Sequence, residues 1–164
     1  WLLATGDTRK NGFFTQDRVG MNGRIFRVIK IRTMREALIM DSTVTTSKDR
    51  RITALGRFWR RSKIDELPQL WNVLVGKMSF VGPRPFRRHF ARILTAKEPR
   101  YAVRFVAKPG LTGWDQVNNG YPNTITGQLQ KFRYDLYYLR KCSFWLDLVI
   151  LGKTLGVILK RNGQ

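Results

Sequence analysis

The sequence predicts a mixed α/β domain that is mostly helical and carries one small antiparallel β-hairpin. Three observations predict it. An Asn22-Gly23 step stands between two runs of β-branched and aromatic residues. Several later segments repeat their apolar residues at helical spacing. No internal repeat or low-complexity linker divides the 164 residues, so a single domain over 1–164 is the simplest organisation.

The hairpin comes first. Residues 13–20 (FFTQDRVG) and 24–31 (RIFRVIKI) flank Met21-Asn22-Gly23, where Asn and Gly both tolerate positive φ. A short helix is expected over 32–40 and a polar, Ser/Thr-rich loop over 41–50. Residues 51–61 read as a helix with Ile52, Leu55 and Trp59 on one face and Arg57, Arg60 and Arg61 off it. In SKIDELPQLWNVLVG, Ser62 precedes Asp65 by three residues in a helix-capping pattern, and Gly76 marks a stop. Pro68 is tolerated only in a first turn, so that helix is expected to start near Asp65.

Residues 79–85 (SFVGPRP) read as a rigid turn and 86–96 as a basic helix. The stretch 108–123 is dense in turn residues around a short strand at 114–117, and 127–141 reads as a helix. A last helix is expected over 144–160. On it Ile158, Leu151, Phe144, Leu155, Leu148, Leu159 and Trp145 share one arc, opposite Asp147, Lys153, Thr154 and Lys160. That pattern fits a helix lying in a membrane interface and equally a helix packed on a core.

Charge narrows the function classes. Thirty-one Lys and Arg against 11 Asp and Glu give a formal charge of +20, so the partners should be anionic: nucleic acid, a phosphorylated metabolite or a charged membrane surface. Hydrophobic residues make up 43%, too many for a disordered basic tail. One cysteine, Cys142, excludes an internal disulfide and a cysteine-rich zinc site, and reads as a buried apolar filler. One histidine, His89, argues against a His-dependent triad and reads as a helix-surface residue. The apolar run Leu148 to Leu151 falls far short of the ~18 residues of a spanning helix.

Among the acids only Asp65 and Glu66 are adjacent, and they follow Arg57, Arg60, Arg61 and Lys63. Basic neighbours and a helix N-terminus both favour ionised carboxylates there. Such a pair can attack phosphorus or hold Mg²⁺. The same spacing also describes a capping carboxylate with a surface ion pair, the commoner use of acids at a helix start. Arg84, between Pro83 and Pro85, is held in a restricted backbone that suits a phosphate, or is a solvated arginine on a turn. Lys30 and Arg32 alternate in a strand and share one face, for an anion or for water. Gly152-Lys153-Thr154 mimics the end of a phosphate-binding loop, but Asp147 stands at the required upstream glycine and no strand precedes it.

Four blocks together resemble a known family. QDRVGMNGRIFRVIKIRTM (16–34), GRFWRRSKIDELPQLWNVLVGKMSFVGPRP (56–85), KPGLTGWDQVNNG (108–120) and FRYDLYYLRKCSFWLDLVILGKTL (132–155) are similar to the bacterial sugar transferases, the monotopic phosphoglycosyl transferases. They cover nearly the whole chain, and DELPQLWNVL followed by VGPRP is the specific part. The resemblance implies transfer of a hexose-1-phosphate from a UDP-sugar to polyprenyl (undecaprenyl) phosphate. Asp65 would be the nucleophile, forming a phosphosugar ester and releasing UMP. Glu66, with Asp65, would be associated with Mg²⁺. Lys30, Arg32, Arg60 and Arg84 map to basic positions near the phosphates, and Asp135 and Tyr138 to a further polar motif near the site.

The resemblance also implies a monotopic domain resting by amphipathic helices on anionic lipid, at the cytoplasmic face of the bacterial inner membrane. Family members usually begin with a re-entrant helix that would precede Trp1, so a fragment is expected. A homo-oligomer stays open, as do the sugar and the pathway. Asp115 stands where the family commonly has a small residue, and Asn118-Asn119-Gly120 carries one residue more than the usual pattern. Two other readings fit the composition: a basic nucleic-acid-binding module using its 12% aromatics for stacking, and a hydrolase with water as acceptor. The DELPQL/VGPRP constellation and an apolar helix face weigh against the nucleic-acid module.

Overall fold

The hairpin forms where the Asn-Gly step places it. In a computed structural model describing residues 1–35, 49–118 and 125–159, β1 (Phe13–Val19) pairs antiparallel with β2 (Ile25–Ile31), Phe13 opposite Ile31. The 3-10 turn Met21–Gly23 joins them, with Asn22 at φ 55° and Gly23 at φ 74°. A short helix, α1 (Leu2–Thr8), precedes the hairpin and buries Ala4 and Thr8.

After β2 the chain stays extended. Met34 forms an antiparallel bridge with Ile52, and the Arg35 N–H donates to the Arg51 carbonyl at 2.9 Å. This pairing satisfies backbone groups that a helix starting at residue 32 would have used internally. The rest of that expected helix and most of the polar loop, residues 36–48, lie outside the described residues.

The next helix, α2 (Ala54–Ser62), is capped by Thr53, whose hydroxyl accepts from the Gly56 N–H at 2.9 Å. Ser62 caps no later helix. Its hydroxyl donates back to the Phe58 carbonyl at 2.9 Å, and Lys63 at φ 59° ends α2 in the left-handed region. Asp65 and Glu66 then lie in a separate 3-10 turn, Ile64–Glu66, ahead of α3 (Gln69–Leu74). They stand before α3, not in its first turn. Pro68 is the N-cap of α3, and Gly76 at φ 74° lies just past its end as the sequence predicts.

The segment 79–85 opens as a strand rather than a turn. β3 (Ser79–Val81) pairs in parallel with β4 (Gly110–Thr112), and the crossover between them runs through α4 (Arg88–Lys97) and the 3-10 segment Pro99–Val106. The strand expected at 114–117 is instead a helix, α5 (Trp114–Asn118). Its expected pairing belongs to the three residues Gly110–Thr112, where glycine permits close backbone approach: a Cβ on Gly110 would fall on the Gly82 backbone.

The last two helices, α6 (Ile125–Lys141) and α7 (Phe144–Leu159), close the chain. Apolar burial is divided among three small clusters. Phe26, Val28 and Met78 lie under the hairpin; Val81, Tyr138 and Ile150 join β3 to the last two helices; Leu94, Tyr101 and Phe132 join α4 to α6.

α7 presents an unexpected side to these clusters. Fully buried Ile150 faces inward, flanked by Asp147, which accepts from the Tyr138 hydroxyl at 2.9 Å, and by Thr154, whose hydroxyl lies 2.8 Å from that of Thr112. Phe144, Trp145, Leu148, Leu155 and Leu159 of the sequence-predicted arc are exposed. Cys142 is exposed too, not a buried filler. Among the described residues no helix is long and apolar enough to cross a membrane.

Gly110→Ala should destabilise the fold by about 1–3 kcal/mol, because the new methyl must displace paired backbone. Gly152→Ala, with open space around its Cβ position inside α7, should stabilise by up to about 1 kcal/mol. Urea unfolding of the two variants checks both signs.

Candidate active site

The two adjacent acids reach their surroundings through three separate pieces of chain. The 3-10 turn Ile64–Glu66 sets them beside β2, and α3 is anchored to the same strand by Asn72. The Asn72 amide donates from Nδ2 to the Arg27 carbonyl at 2.8 Å and accepts at Oδ1 from the Ile29 N–H at 3.3 Å. One side chain thus replaces a strand partner along the edge of β2. The third piece is the Gly82–Pro85 turn after β3, which carries Arg84.

These pieces converge on one oxygen. Lys30 Nζ lies 2.6 Å from Glu66 Oε1, and Arg84 Nη2 donates to the same atom at 2.7 Å. Burial alone would push Glu66 upward, but Arg84 and Lys30 reverse this and hold its carboxyl well below the ordinary range. Lys30 is pulled below its ordinary range by burial, with Arg84 adding to the effect and Glu66 opposing it.

Asp65 differs from its neighbour. Burial first, and the Glu66 charge second, raise its carboxyl above the usual range, while Lys30, Lys63 and Arg60 pull it back. This corrects the expectation that local charge alone would keep both acids fully ionised, because desolvation was not visible in the sequence. Asp65 Oδ1 is buried without a hydrogen-bond partner, as is Gln69 Nε2 one helical turn further on. An oxygen with unused lone pairs beside cations can take a metal ion or form a bond to phosphorus.

Of the other expected site residues, Arg60 joins the acids through its field on Asp65, and its Nε donates to the Thr33 hydroxyl at 2.9 Å. Arg32 does not join them. It lies past the end of β2, where its Nε donates to the Asn11 carbonyl at 2.8 Å and its guanidinium sits 5.5 Å from the Phe14 ring centre. Tyr138 belongs to the core between α6 and α7, donating to Asp147.

Asp135 is also buried, and its ion-pair partner is Arg104 rather than a residue of the Glu66 cluster. Arg104 Nη2 lies 2.9 Å from Asp135 Oδ2 and donates to the Arg84 carbonyl at 2.9 Å, while Arg104 Nη1 donates to the Tyr101 hydroxyl. Asp115, the departure from the family pattern, is buried there with Lys131. Burial lifts Asp135 to about 7, with Asp115 adding to the rise and Arg104 and Lys131 opposing it.

Sequence reading missed Arg18, Gln69, Asn72 and Arg104. Arg18 Nη1 reaches the Pro85 carbonyl at 3.4 Å, and burial beside Arg84 and Arg87 lowers it to about 9. For Gln69 and Asn72 a signal existed: two amides in a short helix otherwise made of Leu, Trp and Val. Arg18 and Arg104 are single arginines among 31 Lys and Arg, and nothing local sets them apart.

The bacterial sugar transferase family matches residues 1–161. A UDP-N-acetylgalactosamine-undecaprenyl-phosphate N-acetylgalactosaminephosphotransferase of Aeromonas hydrophila is 40% identical over 151 residues, 92% of this chain and 36% of that protein. A UDP-glucose:undecaprenyl-phosphate glucose-1-phosphate transferase of Xanthomonas campestris pv. campestris is 42% identical over 150 residues, 87% of this chain and 30% of that protein. A UDP-galactose-lipid carrier transferase of Erwinia amylovora is 38% identical over 170 residues, 92% of this chain and 34% of that protein. The chain spans about a third of the length of these relatives.

The buried acid gives a stability signature. Asp135 titrates near 7 when folded and near about 3.9 when unfolded, so the folded chain binds the extra proton between those values. Its stabilising contribution is complete below about pH 4 and is lost as pH rises through 7. The wild-type advantage in Tm over Asp135→Asn should therefore be larger at pH 5 than at pH 7.5 in thermal melts.

Proposed function

This chain belongs to the bacterial sugar transferase family, and from that premise we propose that it transfers a hexose-1-phosphate from a UDP-sugar to polyprenyl (undecaprenyl) phosphate. The observation that carries the reading is the pairing of a free-oxygen aspartate with a glutamate locked by two cations. An Asp65 carboxylate oxygen attacks the sugar-bearing phosphorus of the donor. A phosphorus–oxygen bond to Asp65 forms, the bridging bond breaks, and UMP leaves with the electron pair. A phosphate oxygen of the polyprenyl acceptor then attacks the same phosphorus, releasing the Asp65 carboxylate and leaving the lipid diphosphosugar.

Both steps load negative charge onto equatorial phosphate oxygens. Lys30, Arg60, Lys63 and Arg84 surround the acids and can stabilise that charge as it develops, without reorganising. Their combined charge exceeds that of Asp65 and Glu66, so the surroundings of the pair favour a polyanionic ligand.

Mg²⁺ fits the donor set. The ion is commonly held by one or two carboxylates together with substrate phosphates, and the unpartnered Asp65 Oδ1 beside Glu66 offers that number of protein ligands. Bound there, it would neutralise diphosphate charge.

The acceptor is a lipid, and the surface suits one. Exposed Leu67, Leu70, Trp71 and Leu74 come directly after the acid pair, and α7 exposes Phe144, Trp145, Leu148, Leu155 and Leu159. We place these faces in the interface of an anionic membrane, at the cytoplasmic side where the nucleotide sugar is found, with the acids near headgroup level.

Purified full-length protein with Mg²⁺ and polyprenyl phosphate should release UMP from a UDP-sugar, and Asp65→Asn should abolish the release. Mixing enzyme with donor alone should give a phosphosugar adduct on Asp65 by mass spectrometry. UMP release at the wild-type rate from Asp65→Asn would remove that residue as nucleophile. For the surface, Trp145→Glu with Leu148→Glu should weaken sedimentation with phosphatidylglycerol-containing vesicles and leave Tm unchanged; undiminished sedimentation would remove α7 from the contact.

A further inference from the structure

Arg84 reaches Glu66 from a turn whose backbone is held at four successive carbonyls. The Gly110 N–H donates to the Pro83 carbonyl at 3.0 Å, Arg104 Nη2 to that of Arg84 at 2.9 Å, and Arg18 Nη1 to that of Pro85 at 3.4 Å. The Val19 N–H donates to the Phe86 carbonyl at 2.9 Å. Pro83 and Pro85 fix their own φ, and Pro85 confines Arg84 to extended conformations. What the prolines leave open is the tilt of the peptide plane between Arg84 and Pro85. Arg104 acts on the carbonyl of that plane.

Arg104 is itself held on every side. Its side chain is 2% exposed, it is ion-paired to Asp135, and it donates to the Tyr101 hydroxyl. Its guanidinium lies 4.3 Å from the Phe86 ring centre and 4.8 Å from that of Tyr101. Lys131 and Asp115 complete the cluster, so two buried cations face two buried carboxylates. A guanidinium lying against two rings and paired with a carboxyl group has little freedom left, and it transmits that rigidity to the carbonyl it grips.

We infer that Arg104 is a positioning residue for the transfer reaction, holding the Arg84 peptide so that the Arg84 fork stays on Glu66. Asp135 is its carboxyl partner at 2.9 Å, which gives that buried acid a role away from the reacting atoms. The kinetic part of this inference rests on the transferase reading; the structural part does not.

Two variants separate positioning from mere stability. Arg104→Met combined with Asp135→Asn removes both charges at once, which at a buried ion pair commonly leaves stability nearly unchanged, but it also removes the donor to the Arg84 carbonyl. Arg104→Lys keeps the charge and a donor. With Tm near the wild-type value, the double variant should lose about 10- to 100-fold in kcat, and Arg104→Lys should recover part of it. On an Arg84→Ala background the same changes should cost little more, since the group being positioned is gone.

A readout without turnover accompanies these. The Arg84 Nε–H resonance should be sharp and slow to exchange with water in the wild type, and broadened in the double variant or, if that does not fold, in Arg104→Lys. Folded variants with wild-type kcat and a sharp Arg84 resonance would overturn the inference, and so would a full-sized loss persisting on the Arg84→Ala background. A wild type that transfers no sugar phosphate would defeat the transferase reading alone, and the resonance would then decide this one.

Discussion

The site depends on Glu66 Oε1, the single atom that Lys30 and Arg84 share at 2.6 and 2.7 Å. The two cations come from elements distant in sequence, a strand of the hairpin and a turn after β3. Without a carboxylate between them they would face each other with little water to screen them, and breaking a buried pair by removing one partner costs several kcal/mol, of order 3–5. Glu66 therefore acts as a joint. It ties β2, the 3-10 turn and the Gly82–Pro85 turn together at one atom.

This joint also separates the roles of two carboxylates adjacent in sequence. Glu66 accepts strong hydrogen bonds that stabilise its charge and lower its nucleophilicity. Asp65 keeps an oxygen with no donor on it, while cations stand near enough to act through space. The nucleophile proposed at Asp65 would benefit from that division, because a lone pair committed to a guanidinium is not available to phosphorus. Environment, not residue type, assigns the two roles. Burial first and the Glu66 charge second raise the titration of Asp65, and a polyphosphate-bound cation would lessen that rise.

Elements whose chemistry is local were legible in the sequence. The Asn22-Gly23 turn, the Gly76 stop and the long helices at 125–141 and 144–159 all arise from φ preference or from period. The parallel pair Ser79–Val81 with Gly110–Thr112 was not, because each strand has three residues and their pairing is set by glycines 28 residues apart that let two backbones touch. The grouping of the acid pair with Lys30, Arg60 and Arg84 was expected from the family resemblance, and charge and proline patterns alone left it open. Arg32 stands apart from that group because alternation predicts a shared face only while the strand lasts, and β2 ends at Ile31. Asp135 and Tyr138 lie on a motif whose burial could not be read from spacing; Asp135 pairs with Arg104, which donates to the Arg84 carbonyl, and Tyr138 ties α6 to α7.

The orientation of α7 carries the last step. A helix packed in water turns its apolar stripe inward and its polar residues out. Here Asp147 and Thr154 are spent on the core, each with a specific partner, while five large apolar side chains of the stripe face outward. The inward polar contacts fix the rotation of the helix about its own axis, so the outward stripe is not a consequence of slack packing. Exposed Leu67, Leu70, Trp71 and Leu74 repeat the pattern beside the acids. Two outward apolar faces, one of them held by hydrogen bonds on its opposite side, are what the proposed lipid-phosphate acceptor would require of an enzyme working at an interface less polar than water.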